Sequence, residues 1–357
     1  MFNHKRLSLA RKRRGLTGKA LSVKAELSAI TISRLEKGEN QPDEATVHKL
    51  SRALRFPSSF FFDDDPDVLD TNVVSFRSLS RMRAKERDAA ISAGILGLQL
   101  NDWIEERFSL PKPNLLDLSY ETNAEAAARS VRQDWSLGEK SIGSMIGLLE
   151  IHGVRVFSLT ENTATVDAFS FWRNDVPFVF LNTFKSAERS IFDAAHELGH
   201  LILHRHGGPG FTRSAEREAD AFASAFLMPS NDVKSRMPRR ISVNVVLKAK
   251  NRWRVSAMAM AYRLHYLGLL TDWQYKSTCI ELGRRGYRSG EPDGIEREYS
   301  VVWKKVLSQL WSERTTKSEI ARELHLPLDE LEGILWGLTA NTVRPRREAS
   351  TTLRTVV

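Results

Sequence analysis

Apolar residues at helical spacing open the chain and recur through most of it. Leu7 and Ala10 begin a first pattern, which Gly15 ends as a glycine past a helix terminus does. Thr17 is placed to cap a second helix carrying Ala20, Leu21 and Ala25. Ser28 is placed to cap a third with Ile32 and Leu35, closed by Gly38. Pro42 and Asp43 start a fourth with Val47, Leu50 and Leu54. Residues 56–70 hold Pro57, Pro66 and an acidic run at 63–65, and read as a linker. Helical patterns return over 81–108, broken by Pro111 and Pro113, and over 123–135.

The period then changes. Residues 153–159 are short and β-branched. Residues 168–172 and 176–181 are apolar and aromatic, separated by Arg173, Asn174 and Asp175, which predicts a β-hairpin. A long helix is predicted over 186–204, a flexible loop at 207–210 and a helix over 214–227 that stops near Pro229. The remainder reads as helical, with a polar, glycine-rich gap at 283–294. The fold class expected is therefore mainly α with a small β-sheet, an α+β layout. At 357 residues the chain exceeds one typical core, so more than one domain is expected.

Charge changes this picture because it is uneven. Residues 1–62 carry 13 Lys and Arg against 5 Asp and Glu, nearly all of the chain's excess of +9. A basic module on a near-neutral body points to a polyanion such as nucleic acid, or to a merely well-solvated basic surface. The single cysteine, Cys279, makes no internal disulfide and no cysteine-rich zinc site, which favours a reducing cytoplasm. No apolar run approaches the roughly 18 residues of a membrane span, and no apolar stretch follows the basic N-terminus, so neither membrane insertion nor a secretory signal is expected.

The sharpest chemical signal is His196-Glu197-Leu198-Gly199-His200. Four residues advance a helix by about 400°, so the two histidines share a face and converge on one zinc ion at about 2.0–2.1 Å each. Glu197, beside them, is placed as a general base without being a ligand. Apolar neighbours, including Ile191, Ala195, Leu198 and Ile202, predict a buried helix. The alternative is a core helix whose histidines are merely hydrogen-bonded. A third ligand must come from elsewhere, and Glu216, Glu218 and Asp220 on the next helix are the candidates.

The runs FDAAHELGHLILH (192–204) and EREADAFASAFLMP (216–229) together resemble the ImmA/IrrE family of metallopeptidases. The resemblance implies a zinc peptidase with His196, His200 and Glu218 as ligands and Glu197 as catalytic base. Asp220 then orients a ligand histidine, and Glu216 is the reserve third ligand. The strand at 176–182 is expected to run beside the cleft and pair with an extended substrate. No residue stands out as the oxyanion donor; His204, His206, Tyr262 and His265 are candidates, each also explained as structural or exposed.

Residues 5–62, with GLTGKALSVKAELSAITISRLEKGENQP at 15–42, resemble the XRE-type helix-turn-helix of phage repressors. Thr17, Lys19, Lys24 and Lys37 are the expected phosphate contacts, and Ser33 and Arg34 the readers of base edges. Glu26 stands in the turn where that family usually has glycine, and Ala29 and Ile30 stand where polar readers are common. Docking to another protein is therefore the alternative to DNA. The segment VSFRSLS (74–80) also resembles proteins that join two such modules.

The division that follows is a five-helix-type helix-turn-helix domain at 1–62, a linker and helical connector at 63–120 and a zincin-like peptidase domain at 121–270. A helical C-terminal region at 271–357 completes it; there SEIARELHLPLDELEGILWGL (318–338) reads either as a second helix-turn-helix or as a plain helical hairpin. The function expected is a regulatory zinc endopeptidase that cleaves a repressor or antitoxin-like DNA-binding protein, with DNA as a further partner and self-association left open. The alternative is a helix-turn-helix regulator whose peptidase-like domain senses metal or a partner without cleaving.

Overall fold

The computed structural model describes residues 1–69, 83–159, 168–205 and 213–339. The motif at 74–80, the glycine loop at 207–210 and His206 lie outside the described residues. The N-terminal module forms α1 (His4–Arg13), α2 (Gly18–Ala25), α3 (Ala29–Glu36) and α4 (Glu44–Leu54). Its caps are the expected ones: Thr17 Oγ1, Ser28 Oγ and Asp43 Oδ1 accept from the backbone N–H of Ala20, Thr31 and Thr46 at 3.1, 3.0 and 2.8 Å. The start of the expected linker is instead structured. Pro57 begins a 3₁₀ turn, Ser58–Phe62, that buries Phe60 and Phe61 beside Phe56. Proline at a helix start is preorganised rather than disruptive, and the aromatic run supplies the apolar area that holds the turn in place.

The body begins with α5 (Ala84–Glu105), α6 (Ala124–Asp134) and α7 (Met145–Ile151), followed by β1 (Arg155–Leu159), β2 (Ala168–Arg173) and β3 (Val176–Asn182). The predicted hairpin turns through Asn174 and Asp175, both left-handed at φ 49° and 61°, as a two-residue hairpin loop requires. Strand order is β1-β3-β2, with β1 parallel and β2 antiparallel to β3. This corrects one expectation. The strand at 176–182 is central and spends its backbone groups on both neighbours, so it cannot pair with a substrate.

Side chains alternate across the sheet. Phe169 and Phe171 of β2 stack with Phe178 and Phe180 of β3 on the face covered by α5. There Gly97 permits the approach, since a Cβ on it would meet Phe180 at 2.7 Å. The helix expected as a connector packs both on the sheet and against α1 of the N-terminal module. The opposite face of β2 presents Ser170 and Trp172 to α8 (Ala187–Leu203), which packs against α9 (Arg213–Leu227).

The chain continues through α10 (Ser230–Arg236), α11 (Val243–Trp253), α12 (Ala257–Tyr266), α13 (Asp272–Arg284), α14 (Val301–Ser312), α15 (Lys317–Glu323) and α16 (Leu328–Leu335). In the second helix-turn-helix reading α16 is the recognition helix. Its Glu330, Leu331, Ile334 and Leu335 are buried, against β1 and α5 among other elements.

That helix also ties the N-terminal module to the body. Glu330 accepts from Arg13 Nε at 2.6 Å and from Arg14 Nη1 at 2.6 Å. Arg6 pairs with Asp63 at 3.1 Å, Arg11 with Glu36 at 2.6 Å, and Lys5 with Asp65. Much of the basic charge on α1 is therefore used inside the molecule. Among the described residues, no helix is long and apolar enough to cross a membrane.

Candidate metal centre

Helix α8 is positioned at its start and again further along its length. Ser186 caps it, accepting from Arg189 N–H at 3.2 Å. Near its start, buried Glu188 faces the buried ammonium of Lys250 at 3.6 Å and accepts from Ile295 N–H at 2.9 Å. Further along, Gly199 lets α9 come close: a Cβ there would stand 3.1 Å from Phe222 and 3.2 Å from Ala219 Cα. The small pair Gly199 and Ala219 thus brings the acids of α9 within reach of the histidines of α8.

His196 and His200 are buried, and their Nε2 atoms lie 3.1 Å apart. Glu216 of α9 completes a triangle, with Oε2 at 3.5 Å from His196 Nε2 and Oε1 at 3.4 Å from His200 Nε2. Three ligand atoms bound tetrahedrally at about 2.0–2.1 Å are separated by about 3.3 Å, so these three side chains fit a zinc ion. Burial alone would raise the Glu216 carboxyl, but hydrogen bonds and charge from His196 and His200 outweigh it and hold the group at about 2. Burial lowers His200 from its ordinary value, which favours the neutral imidazole that a metal requires.

The structure places Glu218 elsewhere than expected. Its Oε2 lies 3.1 Å from His204 Nε2, and its Oε1 accepts from Ser214 Oγ at 2.8 Å. The reason is helix phase. Glu216 and Asp220, four apart, share the face of α9 turned to His196; Glu218, two positions from each, does not. Asp220 lies where an orienting residue belongs, with Oδ1 2.9 Å from His196 Nδ1. His204 lies under the site, its Nδ1 3.0 Å from His200 Nδ1.

Glu197 is fully buried, and its Oε2 accepts from Ser170 Oγ at 2.6 Å. Sequence reasoning missed Ser170, because only the packing of β2 against α8 brings it there. It also missed the contact of His204 with His200, for which a signal existed: His204 extends the spacing of His196 and His200 by one more turn. Of the other oxyanion candidates, Tyr262 is 49% exposed on α12, and His265 pairs with Asp272 at 2.7 Å.

In the N-terminal module, Thr17, Lys19, Lys24, Ser33, Arg34 and Lys37 are all exposed, on or beside α2 and α3. Ile30 is 66% exposed at the start of α3. Glu26 adopts the left-handed conformation of the turn, at φ 53° and ψ 47°.

Two parts of the chain match family models. Residues 149–265 match the IrrE N-terminal-like domain of the peptidase M78 family, and residues 7–61 match the helix-turn-helix. The chain joins an XRE-type helix-turn-helix to an ImmA/IrrE-type domain. No curated protein matches it. A solved structure, ComR from S. thermophilus in complex with DNA and its signalling peptide ComS, aligns over 90% of this chain and 99% of its own. Its sequence identity is 11% and its TM-score 0.17, a likeness too slight to carry an argument. The ImmA/IrrE match spans α8 and α9, and therefore His196, Glu197, His200 and Glu216.

Proposed function

We propose that this chain is a cytoplasmic zinc endopeptidase that cleaves a DNA-binding protein of the repressor or antitoxin type and carries its own DNA-binding module. The observation that carries the reading is the His196–His200–Glu216 triangle, with Glu197, next to His196 in the chain, outside the ligand set. Three protein ligands suit a catalytic site with an open position; a structural site usually has four.

His196, His200 and Glu216 would hold a zinc ion, which would supply Lewis acidity towards a peptide carbonyl and water at the site. Glu197 accepts the proton of the attacking water and returns it to the leaving amine. Ser170 donates to one carboxylate oxygen of Glu197 and so orients the group. Asp220 keeps the proton of His196 on Nδ1, so that Nε2 offers its lone pair. In the N-terminal module, Thr17, Lys19, Lys24 and Lys37 hold phosphates, while Ser33, Arg34 and the exposed Ile30 meet base edges.

One observation favours the alternative, a regulator that senses metal without cleaving: Glu197 is fully buried and already bonded to Ser170. One experiment separates the two. Purified wild type should contain about one zinc per chain by elemental analysis, lost in His196→Ala. Glu197→Gln should keep that zinc. Labelling of protein N-termini in cells should then reveal cleavage products with wild type and none with Glu197→Gln. Equal products from both remove Glu197 as the base, and no products from either favour the sensor.

A further inference from the structure

The two ligand histidines are oriented by different means. His196 meets a carboxylate directly, through Asp220. His200 meets another imidazole, and that imidazole meets the carboxylate of Glu218. We infer that His204 and Glu218 form a positioning relay that fixes which nitrogen of His200 carries its proton, and so presents the Nε2 lone pair to the metal.

The direction of the relay follows from what each atom can do. An ionised carboxylate only accepts, so His204 Nε2 must donate to Glu218 Oε2 across 3.1 Å. A neutral imidazole with its proton on Nε2 has a lone pair on Nδ1. That lone pair faces His200 Nδ1 at 3.0 Å, so His200 must donate from Nδ1. His200 Nε2 is then the atom without a proton, and it is the one 3.4 Å from Glu216. Ser214, at the start of α9, anchors the far end by donating to Glu218 Oε1 at 2.8 Å. The His204 side chain is 12% exposed, so its ring is held in the structure rather than turned out to water.

The same geometry gives the three acids of EREAD separate tasks. Glu216 is a ligand, Asp220 orients His196, and Glu218 orients His200 at one remove. An ordinary surface ion pair between His204 and Glu218 would leave His200 indifferent to both. The relay makes His200 depend on them in series, so the loss of either link has the effect of losing both.

The inference rests on the zinc reading, and its test is zinc affinity, measured by competition with a chromophoric chelator on the full-length protein. Circular dichroism checks that each variant is folded. Glu218→Ala and His204→Leu should each weaken zinc by about 10–100-fold, the usual cost of removing a partner that orients a ligand. The double variant should be no weaker than His204→Leu alone. His204→Asn provides the rescue. Its amide oxygen stands near the position of Nδ1 and accepts from His200 without help from position 218, so its affinity should stay near wild type and no longer respond to Glu218→Ala.

Independent, additive losses overturn the relay, as does a Glu218→Ala variant that binds zinc like wild type. Complete loss of zinc in Glu218→Ala, matching Glu216→Ala, would make Glu218 a ligand and overturn it too. A wild type that takes up no zinc fails earlier, before any variant is compared, and removes the metal reading itself.

Discussion

Asp220 Oδ1 lies 2.9 Å from Nδ1 of His196, while Glu216, one turn earlier on α9, lies 3.5 Å from Nε2 of the same ring. Two carboxylates on one helix face thus address opposite nitrogens of one imidazole. Asp220 accepts the Nδ1 proton and leaves Nε2 on the side of Glu216 and His200. Asp220→Ala should weaken zinc by about 10–100-fold without abolishing it, whereas Glu216→Ala should abolish stoichiometric uptake. Chelator competition on both variants checks this; equal losses would mean that ligand and orienting residue have been assigned the wrong way round.

Glu330 joins the two halves of the molecule. It receives Arg13 and Arg14 at 2.6 Å each, with its own side chain 4% exposed. Removing one member of a buried pair costs about 3–5 kcal/mol, and the partners that Arg13 and Arg14 keep, the carbonyls of Ala89 and Leu54 and the carboxylate of Asp329, put the cost here near the lower figure. Glu330→Ala should therefore lower the unfolding free energy by about that amount in urea titrations. Glu313→Ala, at an exposed position on the body, should change it by less than about 0.5 kcal/mol. A Glu330→Ala protein as stable as wild type would show that the ion pairs do not hold the module in place.

The division of charge in the N-terminal module makes a prediction about salt. Lys19, Lys24, Arg34 and Lys37 are exposed around α2 and α3, whereas Arg11, Arg13 and Arg14 are committed to Glu36 and Glu330. Each phosphate contact contributes about 0.9 to the slope of log affinity against log salt. Lys37→Ala and Lys24→Ala should each lower the magnitude of that slope by about this much in a fluorescence titration with duplex DNA, while Arg11→Ala should leave it unchanged. An absence of salt-dependent binding in wild type would favour the protein-docking reading, for which the exposed Ile30 is suited.

Much of this was legible in the sequence, and the gaps have physical causes. The caps at Thr17, Ser28 and Asp43 and the hairpin around Asn174 depend on local chemistry, and they stand where that chemistry places them. His196 and His200 were legible because helix period alone puts them on one face. Glu218 was misplaced because the phase of α9 relative to α8 is set by the contact of Gly199 with Ala219, which no single segment encodes. Even so, the four-residue spacing of Glu216 and Asp220 pointed to the shared face. The central position of β3 and the arrival of Ser170 at Glu197 depend on strand order, a property of the whole sheet. The net charge of residues 1–62 overstated the surface available to DNA, because counting charges does not show which have partners.

Glu26 closes the turn between α2 and α3 at φ 53° and ψ 47°, where its Cβ crowds the backbone. A residue with a side chain loses about 1–2 kcal/mol in that region relative to glycine, and glycine gives back about 0.4–1 kcal/mol through its freer unfolded chain. The difference favours glycine. Glu26→Gly should raise stability by about 0.5–1 kcal/mol, and Glu26→Val, branched at Cβ, should lower it. Thermal unfolding of the two variants beside wild type checks the sign. If the turn only needs to be left-handed, Glu26→Gly should bind DNA as wild type does. A loss of binding with a gain in stability would instead mean that the Glu26 side chain itself takes part in what the module recognises.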